Sequence, residues 1–480
     1  MKHINSIKRN AIALVAILLT GCAVGPDFIK PEPPKTDRFT SEVLNLETTP
    51  SDESSQQIIL GKRIDEAWWE LFQSDSINLI VKQALENSPS IASAVFTLEQ
   101  AQETAAAKAG GLYPQLGISG GIGRQKYGEA FLGPIPAPPP FTYFAIGPVI
   151  SYTLDYTGGL SRSVEQQTAF VEFQKQQLNA AYLAVSGNAV IFSIKIASLE
   201  KQIAITQELV GLDKKNLTLI NEAFQAGAVS RIAISNAEGQ LAIDMALLPP
   251  ILQELNIAQH ALATLLGQTP ANSKLPELNL DKIALPKKIS VDIPSEIAHR
   301  RPDILASEAQ LHAATAAVGV ATSNLYPQIN LNASFSQQAM TANQVFSPGM
   351  NAWSLTSGIF APIFEGGTLL AQQRAAVAVM RANAAKYQQT VLTAFAQIAD
   401  CLQALEHDAA SVQAQTMAYT AASDNNRFMQ ISNREGSLGI LKLIDSQRQM
   451  QLADLALTKS NSQRYIDTTQ LFLALGGSEI

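Results

Sequence analysis

Leu112-Tyr113-Pro114-Gln115 opens a stretch that occurs twice, returning as Leu325-Tyr326-Pro327-Gln328. Each copy continues through two segments of alternating apolar and polar residues. Each closes on a glycine pair, Gly158-Gly159-Leu160 in the first and Gly366-Gly367-Thr368-Leu369 in the second. Landmarks on both sides keep register. Pro89 matches Pro302 and Tyr113 matches Tyr326 at an offset of 213, whereas Gly158 matches Gly367, Gly227 matches Gly436 and Gly267 matches Gly476 at an offset of 209. Two constant offsets, changing only across the hairpin tip, mean an internal duplication whose second hairpin is shorter by about four residues. The difference falls at Gly133-Pro134-Ile135-Pro136-Ala137-Pro138-Pro139-Pro140, a stiff turn with no use for ladder N–H groups.

Outward from the hairpins, each copy reads helix, strand, strand, long helix, return helix. The runs from Gly159 to about Phe224 and from Thr368 to about Arg434 contain no proline and keep helical periodicity. At ~1.5 Å per residue they predict helices of roughly 100 Å, ended by Gly227 and Gly436 as C′ residues. The return helices predicted over 231–266 and 439–475 differ in one respect: Pro249-Pro250 implies a kink or break in the first. The organisation expected is a signal peptide at 1–21 and an N-terminal tether at 22–75. A first repeat follows at 76–285, with strands near 113–127 and 142–157, a long helix over 159–226 and a return helix over 231–266. The second repeat covers 286–480, with strands near 326–340 and 352–365, a long helix over 368–435 and a return helix over 439–475.

The strands have two unlike faces. Phe144, Ile146, Pro148, Ile150, Tyr152, Leu154 and Tyr156 alternate with Ala145, Gly147, Val149, Ser151, Thr153 and Asp155. The second copy places Trp353, Leu355, Ser357, Ile359, Ala361, Ile363 and Glu365 on the apolar side. In the first strand of each hairpin, Leu116, Ile118 and Ile122 match Ile329, Leu331 and Phe335, against a polar series of Gln328, Asn330, Asn332, Ser334 and Ser336. Apolar-out, polar-in alternation with aromatics towards both ends is the pattern of a transmembrane barrel strand. Taken singly, each strand fits a half-buried sheet packed on helices equally well.

The N-terminus bears on that choice. Lys2, Lys8 and Arg9 precede a short apolar stretch, 11–19, and then Leu19-Thr20-Gly21-Cys22. This resembles the lipobox of bacterial lipoproteins, in which the signal is cut before an acylated cysteine, here Cys22. Residue Ala23 is not Asp, which in that class implies sorting to the outer membrane. A lipid anchor beside girdle-bearing strands favours a barrel. Open strand edges cannot sit in lipid, and four strands are too few to close, so several copies must share one barrel. Three copies would give about twelve strands, and strand number alone allows two or four.

Composition narrows the chemistry. The net charge is −7 and only 16% of residues are charged, with no basic run, so a nucleic-acid partner is not expected. Two Cys exclude a disulfide framework, and five scattered His argue against a metal site. Cys401, inside a long helical run, is expected to be an inert free thiol. No Ser/His/Asp or Cys/His arrangement, phosphate loop or close carboxylate pair stands out, so neither an enzyme nor a cofactor is expected.

Several motifs together carry a family resemblance. Cys22-Ala23-Val24-Gly25-Pro26-Asp27-Phe28, Trp68-Trp69-Glu70-Leu71-Phe72, Arg300-Arg301-Pro302-Asp303-Ile304, Pro362-Ile363-Phe364-Glu365-Gly366-Gly367 and Leu443-Ile444-Asp445-Ser446-Gln447-Arg448 resemble the NodT/OprM branch of TolC-like outer membrane efflux proteins. The resemblance implies an α+β membrane protein: a homotrimer whose twelve-stranded β-barrel, four strands per protomer, continues into a long periplasmic α-helical barrel. It implies an outer-membrane location, a periplasmic adaptor and an inner-membrane efflux pump as partners, and small-molecule export. A channel for protein secretion shares the fold, and a non-porous lipid-anchored scaffold is the rival of another class. Carried over residue by residue, the adaptor-contacting tip is Gly227, Ala228, Gly436 and Ser437, and the gate region is Arg434, Glu435 and Asp445. Asn236 stands where the first copy would match Asp445, so the resemblance gives no symmetric acidic ring. The face expected to meet outer-membrane lipid is led by Phe144, Ile150, Tyr152, Tyr156 and Trp353.

Overall fold

The computed structural model describes residues 23–32, 36, 38–40, 55–61, 67–128 and 138–477. The signal peptide, Cys22 and the tip of the first hairpin at 129–137 lie outside the described residues. In chain order the elements are β1 (Gln57–Leu60), α1 (Asp75–Asn87), α2 (Pro89–Gly110), β2 (Gln115–Gln125), β3 (Phe141–Leu154), α3 (Gly159–Gln225), α4 (Arg231–Met245) and α5 (Leu248–Leu265). Then come β4 (Lys288–Val291), α6 (Pro294–Ile297), α7 (Pro302–Ser323), β5 (Gln328–Ala339), β6 (Asn351–Phe360), α8 (Thr368–Arg434) and α9 (Ile440–Ala474). The repeat landmarks have local reasons. Pro89 and Pro302 each open a helix, where a missing N–H costs nothing. Gly227 and Gly436, at φ +76° and +72°, turn the chain after α3 and α8. Ala228 N–H returns to the Ala223 carbonyl and Ser437 N–H to that of Ser432, the six-residue closure of a Schellman turn.

The chain divides into two compact units. The first is made from the described parts of 1–31, 98–174 and 307–387. It contains a four-stranded antiparallel sheet in the order β2-β3-β5-β6. β3 is a central strand, yet it holds Pro148. Pro148 pairs with Ile118 of β2, while the ladder to β5 passes from Ile146↔Gln337 to Val149↔Ser334, omitting Gly147 and Pro148. The ladder thus tolerates a residue without an N–H by leaving out two residue pairs.

The second unit takes the described parts of 32–97, 175–306 and 388–480. Its core gathers Trp68, Phe72, Ile77, Ile80, Leu262, Ile289, Ile297 and Phe472, all nearly fully buried. Trp68 lies 5.2 Å from Phe472 between ring centroids, and Phe72 meets the same ring edge-on. Beside it, β1 pairs with β4 in a short parallel sheet. Arg301, buried, donates to the Ala474 carbonyl at the end of α9 (2.7 Å) and to Gln397, and pairs with Asp303 (2.7 Å). A cation at a helix C-terminus satisfies a carbonyl that the helix cannot. α3 contains a window long and apolar enough to cross a membrane, but Val185, Val190, Ile194 and Leu199 from it are core residues of this unit.

Three sequence expectations are corrected in detail. The first return segment is two helices, with the break at Ala246-Leu247, upstream of Pro249-Pro250. Proline within the first turn of α5 is tolerated, so the helix restarts ahead of it instead of kinking at it. The last strand ends at Phe360, so Ile363 and Glu365 are not strand residues and the misplaced acid on the apolar face disappears. Tyr156 lies beyond the end of β3, and its hydroxyl donates to the Pro327 carbonyl at 2.5 Å.

Candidate functional site

The register makes the sheet's two faces explicit. Residues directly opposite in a ladder point to the same side. Ile150 pairs with Leu116 and Ala333, Phe144 with Ile122 and Ala339, and Tyr152 with Leu331. Phe335 pairs with Trp353 and Ala333 with Leu355. All of these lie on one face. Four of the five lipid-face positions expected from sequence, Phe144, Ile150, Tyr152 and Trp353, are therefore brought together, and Tyr156 is not. In the single chain this face is bare: Ile118 is 82% exposed and Trp353 and Leu355 are each 75% exposed. A contiguous apolar surface of this kind marks contact with membrane or protein. The opposite face holds Ser151, Thr153, Asn330, Asn332, Ser334 and Thr356. Among the described residues β2 pairs only with β3, and β6 only with β5, which leaves one edge of each without a partner.

Where β3 gives way to α3, the Asp155 carboxylate accepts from the N–H groups of Leu160 (2.9 Å) and Ser161 (2.7 Å), capping the helix. A strap of residues 23–30 lies against this joint in the same unit. Val24 N–H donates to the Thr157 carbonyl (3.0 Å), and Arg162 donates back to the Val24 carbonyl (3.3 Å). Arg162, 6% exposed, also pairs with Asp27 and Glu165. Glu165 meets His312 on α7 (3.0 Å), whose ring stacks on Phe28. Burial works against the charge on Glu165, but the bonds from Arg162 and His312 outweigh it and hold the carboxyl below its ordinary range. Room for the strap depends on missing side chains. A Cβ on Gly158, at φ +73°, would lie 2.7 Å from Ala23. The sequence did not reveal the strap, because Asp27 and Arg162 are distant in the chain.

At the other end of the long helices, Gly227, Ala228, Arg434, Glu435, Gly436 and Ser437 are exposed at the two turns, and Asp445 is exposed on α9. The second turn is braced by Asn433, which donates to the Leu438 carbonyl (2.8 Å). A group that sequence reading missed lies deeper in this second unit. Arg448 of α9 donates to Asp244 of α4 (3.0 Å) and lies 3.6 Å from Asp213 of α3. Both carboxylates are buried. Burial, then the neighbouring Asp244, pushes Asp213 up to about 7. Burial opposes the charge of Asp244 as well, but bonds from Asp213, Arg448 and Gln240 outweigh it and keep that carboxyl ionised. A proton shared with Asp244 would satisfy Asp213 Oδ2, which otherwise has no hydrogen-bond partner among the described residues. Elsewhere on α8, burial pushes the Cys401 thiol up to about 11, away from thiolate chemistry.

The model of the outer membrane efflux protein family matches residues 80–268 and 293–477, one match on each copy of the repeat. Nodulation protein T of Rhizobium leguminosarum bv. trifolii is 25% identical over 93% of this chain and 92% of its own. The probable efflux pump outer membrane protein TtgC of Pseudomonas putida is 25% identical over 97% of this chain and 95% of its own. The solved structure of the outer-membrane channel OprN superposes with a TM-score of 0.82 at 25% identity, covering 95% of this chain and 99% of that one. A duplicated hairpin on long helices, matched twice by one family model and along more than nine-tenths of its length by these relatives, makes this chain a member of the outer membrane efflux protein family.

Proposed function

We propose that the chain is the outer-membrane exit duct of a tripartite efflux system, a passive path for small toxic molecules handed over by an inner-membrane pump through a periplasmic adaptor. The observation that carries this reading is the sheet: one apolar face, one small and polar face, and two unpaired edges. Its strands of 10 to 14 residues suit a span that takes about 9–11 tilted residues. As β2-β3-β5-β6 is antiparallel throughout, its two edges run in opposite directions. β6 of one copy can therefore pair with β2 of the next without a parallel step, and three copies close a twelve-stranded barrel. Apolar residues exposed on α4–α5 (Ile232, Ile243, Ile257) and on α8 (Leu392, Met417, Phe428) offer packing surfaces for neighbouring copies. The efflux-pump description of a full-length relative supports the role, and Cys22, acylated, would add a lipid anchor.

The tip at Gly227, Ala228, Gly436 and Ser437 is the proposed adaptor contact. For the gate, Arg448 with Asp213 and Asp244 is a stronger candidate than Arg434, Glu435 and Asp445, because it ties α9 to α3 and α4 by buried charge. An adaptor opens the duct if it binds the state in which this tie is broken better than the state in which it is made. Planar-bilayer recording tests the reading. Wild type should conduct little and Arg448→Ala should conduct steadily; a protein that folds and inserts yet never conducts in either form would leave the non-porous scaffold as the better account.

A further inference from the structure

The polar face of the sheet has a property that its role as a wall does not require: among the described strand residues it carries no Asp, Glu, Lys or Arg. Its members are amides, hydroxyls, glycines and a few apolar side chains. Nearby charges lie off the strand wall, among them Lys108 of α2, which sits with Thr153, Asp155 and Gln328 where the strands meet the helices. Arg124 pairs with Thr142 on the apolar face, and Asp155 is engaged in capping α3. The wall groups also bond sideways to one another. Thr153 donates to Asn330 across β3 and β5 (2.8 Å), and Ser334 and Ser354 share a bond across β5 and β6 (2.8 Å).

We propose that the strand part of the duct is an electrically neutral sleeve that passes anionic, cationic and uncharged solutes alike, so that Asn330, Asn332, Ser334 and Thr356 set a non-discriminating specificity. The inference rests on the duct reading above. A wall without fixed charge creates no focusing potential, whereas clefts lined by one sign of charge reach several kT. Asn330 and Ser334, each engaged by a neighbouring strand, have less bonding capacity to offer a solute, and conduction requires sites weak enough to leave. Discrimination by charge along the path therefore arises outside the strands.

The test uses thiol labelling of the full-length protein in its native membrane. In a Cys401→Ser background, Asn332→Cys should react with both a cationic and an anionic methanethiosulfonate at about 0.15 M salt, where screening over about 8 Å limits the reading to the wall itself. The ratio of the two rates should fall within about threefold of the ratio for a free small thiol, equivalent to a wall potential of about half a kT. Adding Thr356→Asp, which faces position 332 across the ladder, should then favour the cationic reagent by roughly tenfold at 10 mM salt and far less at 1 M, as screening shortens from about 30 to about 3 Å. Leu331→Cys, on the other face, should resist both reagents. If Asn332→Cys reacts but with a ratio skewed tenfold or more, the neutral sleeve is wrong and the duct stands. If Leu331→Cys reacts and Asn332→Cys does not, or if neither reacts, the wall is not wet and the duct reading fails with it.

Discussion

Residues 231–265 and 440–474 hold the same place in the two copies, between a tip turn and a closing glycine, and they are built differently. The first is split into α4 and α5, with few buried residues and with Ile232, Ile243 and Ile257 exposed. The second is the unbroken α9, which buries polar groups along its length, among them Ser446, Gln451, Thr458, Arg464, Asp467 and Thr468. Arg448 makes the contrast concrete. Its counterpart in the first copy is Gly239, and it reaches back to Asp213 and Asp244, which belong to that copy. Duplication supplied two equivalent hairpins of helices; divergence placed the binding cation on one and its carboxylates on the other.

The largest expected effect breaks this contrast directly. Arg448→Ala leaves two carboxyls buried beside each other with no cation, a change that typically costs about 3–5 kcal/mol. Hydrogen exchange should speed at the start of α9 and along α4; unchanged protection there would mean that the difference between the return helices carries no energy. Next is the joint, where the copies differ again. Gly158 and Gly367 are equivalent and both have positive φ, but a Cβ on Gly158 strikes Ala23 while one on Gly367 meets nothing within 4 Å. Gly367→Ala should cost about 1–2 kcal/mol from backbone strain alone. Gly158→Ala should cost about 1–3 kcal/mol more from the clash, read as the difference in melting temperature between the two variants.

A smaller effect follows from pH. The folded Asp213 carboxyl holds its proton to about 7, against an ordinary 3.8. Its contribution is full below about pH 4, because the folded form binds the proton more tightly than the unfolded form. It is lost as pH rises through about 7. Conductance and exchange at α3, α4 and α9 should therefore increase from pH 5 to pH 8, and Asp213→Asn should flatten that dependence. The smallest effect sharpens the comparison by its sign. Gly239 sits inside α4 with open space around it, so Gly239→Ala should stabilise by about 0.5–1 kcal/mol, where the matching change at Arg448 does the opposite.

The hairpins, the long helices and the two faces of the sheet were legible in the sequence because each is written in local signals: Gly and Pro landmarks and a period of two. The faces could be read even though the strand ends could not. Pro362 and the residues after Phe360 alternate well enough to look like strand, but no strand among the described residues pairs with them. What local pattern could not show was any contact made by distant polar residues. Asp213, Asp244 and Arg448 each look like solvated positions on a helix, and only packing of three helices reveals that they are buried together. The strap was hidden for the same reason, and β1 and β4, four residues each, are too short to leave a period.

The strap also has a mechanical meaning. Residue 22 adjoins Ala23, which is wedged against Gly158, and Val24 is bonded to the joint twice: its N–H donates to the Thr157 carbonyl and its carbonyl accepts from Arg162. A load applied at residue 22 is therefore delivered within a few residues to the end of β3 and the first turn of α3, as a rope made fast at a cleat passes its tension to the deck. Asp27, paired with Arg162, is a second fastening further along the strap. Asp27→Asn would weaken that second fastening and leave the first, at Ala23 and Val24, in place.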